Sequence, residues 1–295
     1  MRTMHIWLNG QLIEDKDAVI SVYDHGFLYG LGFFETFRTY AGNPLLLDKH
    51  WERLGQGLEE LAIRMPYKQK DIELAVEQLL QVNKLEDGYF RLSVSAGVGP
   101  LGLQTEPYLQ PAVLLYVKSL PPAATALYEQ GMALQELRTV RNTPESAERY
   151  KSFHYMNCIL GKRELAARPE VGRAEGLFLT GQGYLAEGIV SNLFFLRDGC
   201  CYTPTVDTGI LPGITRAAVI ALCREMQIDL DEGYYTWQHL LEAEEVLVTN
   251  SIQELVPITT LRDKDGNEYQ VGRGRIGPIT ERLLQAYRAK ARREA

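Results

Sequence analysis

A two-domain α+β fold is predicted for this chain on three observations. Apolar stretches with strand and helix periodicity alternate without the strict strand–helix–strand rhythm of a doubly wound sheet. The stretch Ser119-Leu120-Pro121-Pro122-Ala123-Ala124-Thr125 sets two prolines, which end regular pairing, after a strand-like run. A length of 295 residues with 45% hydrophobic content is ample for two cores. The expected domains are a small α+β domain at 1–118 and a larger α+β domain at 130–295, joined by a linker at 119–129.

The elements follow in order. His5 to Asn9, before Gly10-Gln11, and Phe33 to Tyr40, before Ala41-Gly42-Asn43-Pro44, read as strands of an antiparallel hairpin arrangement. Asp48 stands where it can cap a helix whose Trp51, Leu54, Leu58 and Leu61 recur at three- and four-residue steps, with Arg53 beside that stripe. A second helix covers Asp71 to Asn83. Tyr89 to Ser95 alternates strictly, so Phe90, Leu92 and Val94 share one face and Tyr89, Arg91 and Ser93 the other. Ala112 to Lys118 is the last strand before the linker. Beyond it, strands are predicted at Met132 to Val140, Gly176 to Thr180, Leu193 to Arg197 and Glu245 to Asn250. Helices are predicted near Phe153 to Ala167, Ile214 to Met226, Trp237 to Glu244 and Ile279 to Arg293.

Composition excludes several classes. With 31 basic and 38 acidic residues, a net charge of -7 and no long basic run, the chain lacks an electrostatic footprint for nucleic acid. The first ten residues contain no signal-peptide apolar region and no segment is long and apolar enough to span a bilayer, so no membrane is implied and a cytoplasmic location is expected. Cys158, Cys200, Cys201 and Cys223 form neither a CxxC pair nor a ligand array with the five histidines, so reduced, structural cysteines and no metal are expected.

Small-molecule chemistry is the better prior, and several segments carry it. Gly97-Val98-Gly99-Pro100-Leu101-Gly102 has G-x-G-x-x-G spacing, but Leu103-Gln104-Thr105-Glu106-Pro107 makes a poor helix start, and a dinucleotide site needs that helix. A glycine-rich turn is the reading for that segment. Lys151 follows the polar run Arg141 to Arg149 and precedes a helix, which suits the rim of a cleft; next to a cation or in a poorly solvated site, a lysine can serve as imine partner and proton carrier. Glu187 can aim a carboxylate from a sheet edge, with Asn192 in support. Gly213-Ile214-Thr215-Arg216 opens a helix whose N–H groups can receive a phosphate, and Thr249-Asn250-Ser251 adds donors at a strand end. Taken singly, these are a solvated lysine, a turn glutamate and asparagine, and a first-turn threonine. Together they supply what pyridoxal 5'-phosphate needs: an amine for its aldehyde, a carboxylate for its ring nitrogen and donors for its phosphate.

In this order the segments resemble the fold-type IV pyridoxal phosphate enzymes, the family of branched-chain aminotransferases, D-amino acid aminotransferases and aminodeoxychorismate lyases. The likeness covers nearly the whole chain. It includes Asp24-His25-Gly26-Phe27-Leu28-Tyr29-Gly30-Leu31-Gly32-Phe33-Phe34-Glu35-Thr36-Phe37-Arg38, the His-x-x-Arg-Leu helix at His50 to Leu54, Lys151 with its following helix, Glu187-Gly188-Ile189-Val190-Ser191-Asn192, and Gly213 to Arg216. The resemblance implies a homodimer of two-domain chains with the cofactor between the domains. It makes Lys151 the cofactor lysine, Glu187 the partner of the pyridine nitrogen and Arg53 the phosphate arginine. Ile214, Thr215, Ser251 and the amide of Ile252 would complete the phosphate cup. Within the family, Thr36 stands where branched-chain aminotransferases usually carry glycine. The stretches Phe34 to Arg38, Arg141 to Pro144 and Thr249 to Glu254 look most like lyases of Bacillus type. That likeness implies conversion of 4-amino-4-deoxychorismate to 4-aminobenzoate and pyruvate, a lyase step of folate biosynthesis. Lys151 would move the proton, Thr36 would deliver one to the leaving group, and Arg91 and Tyr29 would contact substrate. The alternative is an aminotransferase of D-amino acids or branched-chain amino acids. Branched-chain enzymes place a tyrosine five residues beyond the lysine, where this chain has Met156, with Tyr155 one step off.

Overall fold

The computed structural model describes residues 3–121, 125–168 and 172–294. The chain divides into two compact units, one of Met1–Pro121, Tyr150–His154 and Ala291–Ala295, the other of Pro122–Arg149 and Tyr155–Lys290.

The first unit comprises β1 (His5–Leu8), β2 (Gln11–Glu14), α1 (His25–Tyr29), β3 (Gly32–Tyr40), β4 (Asn43–Pro44), α2 (Leu47–Glu60), α3 (Gln69–Asn83), β5 (Gly88–Ser95) and β6 (Ala112–Ser119). Its six strands form one antiparallel sheet in the order β2-β1-β6-β5-β3-β4. Alternation gives each strand two distinct faces. Phe33 and Phe37, Phe90, Leu92 and Val94, and Val113, Leu115 and Val117 share the core with Leu54 and Leu58 of α2 and Ile72, Val76 and Leu79 of α3. The opposite face carries Phe34, Thr36 and Arg38 beside Ser93, Arg91 and Tyr89, with Leu114, Tyr116 and Lys118 next; Thr36, Arg91 and Tyr116 lie in register. Asp48 does not cap α2. Leu46 holds that position in a left-handed conformation without a side-chain cap, and Asp48 lies in the first turn, where its charge suits the helix dipole.

Segment 150–154 runs along β3. Phe34 N donates to Lys151 O at 2.9 Å and Phe153 N to Gly32 O at 3.0 Å. Gly32 permits this approach, since a Cβ there would lie 2.5 Å from the Phe153 ring and 2.7 Å from Val94 O. The pairing also explains why the helix expected from Phe153 starts only at Met156. The glycine-rich stretch 97–102 is a loop with no helix after it; Gly97 has φ +84° and Gly99 lies against the His25 ring.

The second unit comprises α4 (Thr125–Gln130), β7 (Met132–Glu136), α5 (Met156–Ala166), β8 (Ala174–Leu179), β9 (Leu185–Gly188), β10 (Asn192–Arg197), β11 (Cys200–Pro204), α6 (Ile214–Glu225), β12 (Leu230–Gly233), α7 (Trp237–Leu241), β13 (Glu245–Asn250), β14 (Glu254–Arg262), β15 (Glu268–Gln270) and most of α8 (Pro278–Glu294). Its nine-stranded sheet runs β12-β11-β10-β13-β14-β7-β8-β9, with β15 on β14. Pairings β11–β12, β14–β7 and β7–β8 are parallel. One core gathers Leu134, Leu177, Leu193, Phe195, Val246, Val248, Val256 and Ile258; a smaller one joins Leu137, Cys158, Phe178, Ala186, Ile189 and Ile210.

Several elements differ from the sequence expectation. Helix α4 takes up 125–129 of the stretch expected as linker, in which 122–124 lie outside the described residues. The strand expected to Val140 ends at Glu136, and α7 ends at Leu241. Strand β14 was not expected because Pro257 interrupts its pattern, yet it is central, with Pro257 opposite Leu247 and an irregular register between Ile258 and Thr260. Among the described residues no helix is long and apolar enough to cross a membrane.

Candidate active site

In the first unit, Lys151 Nζ lies 4.8 Å from the centroid of the buried Phe34 ring, and the Arg91 guanidinium covers the same ring at 3.6 Å. Arg91 Nε also donates to Ser93 Oγ at 3.2 Å. Thr36 is the register partner of Arg91. An amine, a guanidinium and a hydroxyl thus gather on one sheet face, with the cations held against an aromatic ring. Tyr29 makes different contacts: its hydroxyl accepts from Gly102 N at 2.7 Å and its ring stands edge-on to His25.

Glu35 points the other way from Thr36, into the core. Arg53 grips it with Nε to Oε1 at 2.8 Å and Nη2 to Oε2 at 2.6 Å, while His50 Nδ1 lies 2.6 Å from Oε2. Burial raises the Glu35 carboxyl, but the charge of Arg53 and the hydrogen bonds from Arg53 and His50 outweigh it and hold it down at about 2. Burial lowers His50 against the pull of Glu35, so a neutral imidazole donates its Nδ1–H to the carboxylate. Arg53, the expected phosphate arginine, is therefore oriented by a bidentate internal pair.

In the second unit, Glu187 lies within the edge strand β9, and it is buried. Arg141 Nε donates to its Oε1 at 2.8 Å, and Arg141 Nη2 forms an ion pair with the same oxygen at 2.8 Å. Its Oε2 accepts from Leu211 N at 3.0 Å and from Asn192 Nδ2 at 3.3 Å, so Asn192 does support it. Gly213 is the N-cap residue of helix α6, and its Cβ, if present, would lie 1.9 Å from Asn192 Oδ1. The first helical bond is Ala217 N to Gly213 O, so the amides of Ile214 and Thr215 have no carbonyl one turn back, and the first turn holds no acid. Thr215 Oγ1 and Ser251 Oγ stand 3.3 Å apart. Thr249, opposite Asn192 in the sheet, has a buried hydroxyl with no hydrogen-bond partner among the described residues. This donor-rich, acid-free cluster fits a phosphate ester. The amide of Ile252 already donates to Asn250 Oδ1 at 3.0 Å, so a phosphate would share that donor. Tyr155 is the N-cap residue of α5 and packs on the smaller core.

Sequence reasoning passed over Glu35, His50, Arg141 and Glu175. Glu35 had a signal, a charge on the strand face otherwise formed by Phe33 and Phe37. Arg141 had none, because its partner lies 46 residues away. Glu175, on β8, underlies the turn between Glu187 and Asn192: its Oε1 accepts from Ile189 N at 2.7 Å and Gly176 N at 3.2 Å. Burial pushes this carboxyl from 4.5 up to about 7, against the lowering pull of those amides. The unfolded chain releases this proton near 4.5 while the folded chain keeps it to about 7, so stability falls across that interval as pH rises. The loss amounts to about 3 kcal/mol. Glu175→Gln should flatten this slope: its Tm should drop less between pH 5 and pH 8 than that of the unsubstituted protein. An equal drop would assign the slope to other groups.

Residues 32–261 match the model of the amino-transferase class IV family. The chain is 44% identical over 260 residues to the aminodeoxychorismate lyase of Bacillus subtilis strain 168, covering 88% of this chain and 87% of that one. It superposes on the branched-chain amino acid aminotransferase of Escherichia coli with a TM-score of 0.85 and 28% identity, covering 98% and 94% of the two chains. The T.th. branched-chain amino acid aminotransferase, solved with N-(5'-phosphopyridoxyl)-L-glutamate, gives a TM-score of 0.85 at 27% identity, covering 99% and 95%.

Proposed function

The chain belongs to the amino-transferase class IV family, and from that premise we propose that it is a pyridoxal phosphate-dependent lyase converting 4-amino-4-deoxychorismate to 4-aminobenzoate and pyruvate. The observation that carries this reading is the gathering of Lys151, Arg91 and Thr36 on one sheet face. The 44% identity to the Bacillus subtilis lyase supports choosing lyase over aminotransferase.

Bound pyridoxal phosphate would supply an aldehyde for covalent linkage and a ring that draws electrons from the adjacent carbon. Lys151 would hold it. Glu187 would hold a proton at the pyridine nitrogen, and Arg53, the amides of Ile214 and Thr215, and Ser251 with Ile252 would hold the phosphate. The amine of Lys151 would then take the proton from the substrate carbon that bears the ring amine. The enolpyruvyl C–O bond breaks as the substrate ring becomes aromatic. Thr36 gives, or positions a water to give, the proton that turns enolpyruvate into pyruvate. Arg91 pairs with one of the substrate's two carboxylates.

The protein would act in the cytoplasm, in folate biosynthesis, as a homodimer. The exposed Val22, Tyr23 and Phe27, joined to Val98 and Leu101 through the Asp24–Val98 bridge and the Gly99 N to Tyr23 O bond, form an apolar surface that a second copy would cover.

The test is incubation of purified, pyridoxal phosphate-loaded protein with aminodeoxychorismate and no keto acid. Equimolar 4-aminobenzoate and pyruvate are expected. Turnover that appears only when a keto acid is added would make the protein an aminotransferase.

A further inference from the structure

The segment Arg141-Asn142-Thr143-Pro144 has no role in the chemistry above, yet it delivers the closest ion pair to Glu187. Two of the three Arg141 nitrogens, Nε and Nη2, point at one oxygen of that carboxylate, both at 2.8 Å. The third, Nη1, donates to Asn157 Oδ1 at 2.8 Å and to Asn142 Oδ1 at 3.1 Å, and lies 3.8 Å from Cys158 Sγ. The guanidinium also stands 5.5 Å over the Phe178 ring. It is thus fixed by α5 on one side and spent on Glu187 on the other. Arg149 adds a second cation, with its Nε 3.9 Å from the same oxygen, while its own hydrogen bonds go to Gly209 O and Asn142 O. Two guanidinium groups therefore converge on one buried carboxylate.

That excess of positive charge decides where a shared proton sits. A buried carboxylate beside a pyridine nitrogen has two one-proton arrangements, a neutral acid facing a neutral ring or a carboxylate facing a pyridinium. Burial favours the first, because it removes charge from a low-dielectric site. A guanidinium on the carboxylate favours the second, because it is paired only while Glu187 is ionised. We propose that Arg141 is a positioning residue that keeps the shared proton on the cofactor's ring nitrogen, and so keeps the ring an electron acceptor, by holding Glu187 as an oriented carboxylate. This rests on the functional reading above, and it concerns the ring electronics, not the attachment to Lys151.

The experiment is 15N NMR of protein loaded with ring-15N pyridoxal phosphate, with borohydride reduction and mass measurement as a check on attachment. The unsubstituted protein should show a protonated ring nitrogen at neutral pH, and Arg141→Gln should move the signal toward the unprotonated position. Arg141→Lys, which keeps the charge but loses the double contact, should recover most of the protonated signal. Turnover of Arg141→Gln should fall by roughly 10- to 100-fold, the scale of losing an outer partner of a ligating group. A protonated nitrogen in a folded Arg141→Gln protein would overturn the proposal, even if its Tm fell, because a merely structural role would lower Tm without moving the signal. If the Gln variant does not fold, an unprotonated nitrogen in the unsubstituted protein, or in Arg141→Lys, overturns the proposal on its own. Absence of any cofactor adduct in the unsubstituted protein would instead sink the functional reading.

Discussion

Lys151→Ala should abolish 4-aminobenzoate formation, with a loss of at least about 10³-fold, within the range spanned by removal of a proton-transfer group and of a covalent amine together. The substitution removes only the side chain. The main-chain ties that seat residues 150–154, Phe34 N to Lys151 O and Phe153 N to Gly32 O, do not involve the amine and should persist. The hydrogen bonds of the buried Glu35–His50–Arg53 cluster are made by other side chains and should persist too. The variant should therefore fold and still take up pyridoxal phosphate without a bond to the chain. Rate measurement, far-UV circular dichroism and mass measurement after borohydride reduction separate the outcomes. A folded variant that keeps near-normal turnover, or whose cofactor is still fixed by borohydride, would remove Lys151 from its assigned place.

Much of this arrangement was legible because strand alternation is a strict rule. Tyr89 to Ser95 put Arg91 on the face opposite Phe90, Leu92 and Val94, and the structure sets Arg91 beside Thr36 on that face. The same rule applied to β3 separates Glu35 from Thr36, although the sequence alone did not say that a histidine and an arginine of α2 would meet Glu35. Local signals failed where tertiary context overrode them. Pro257 masks a central strand because its missing N–H is tolerated next to an irregular register. Asp48 reads as a cap, but the left-handed Leu46 takes that position two residues earlier. Phe153 reads as the start of a helix, but the pairing of Ser152 and Phe153 to β3 draws it away. The contact between Arg141 and Glu187 left no periodicity to read, since it joins two distant segments through side chains alone.

The largest stability effect should come from Glu35→Ala. Both side chains that Glu35 pairs are themselves sequestered, with exposures of 2% for His50 and 9% for Arg53. Removing the carboxylate leaves the Arg53 guanidinium facing a cavity without its bidentate partner and the His50 Nδ1–H without an acceptor. Breaking one side of a buried ion pair costs about 3–5 kcal/mol, more than the cavity left by a few atoms. Glu35→Gln keeps the shape and an acceptor oxygen, so it should recover part of that loss. The pH dependence gives an independent check. Because the carboxyl is held at about 2 instead of 4.5, its stabilisation is fully present above 4.5 and disappears as pH falls through 2. The gap in urea-unfolding free energy between the unsubstituted protein and Glu35→Ala should thus be constant from pH 5 to pH 7 and shrink as pH falls below about 4. A gap under about 1 kcal/mol at pH 7 would mean that Arg53 finds another partner or water on losing Glu35. In that case the internal pair would not be what orients Arg53.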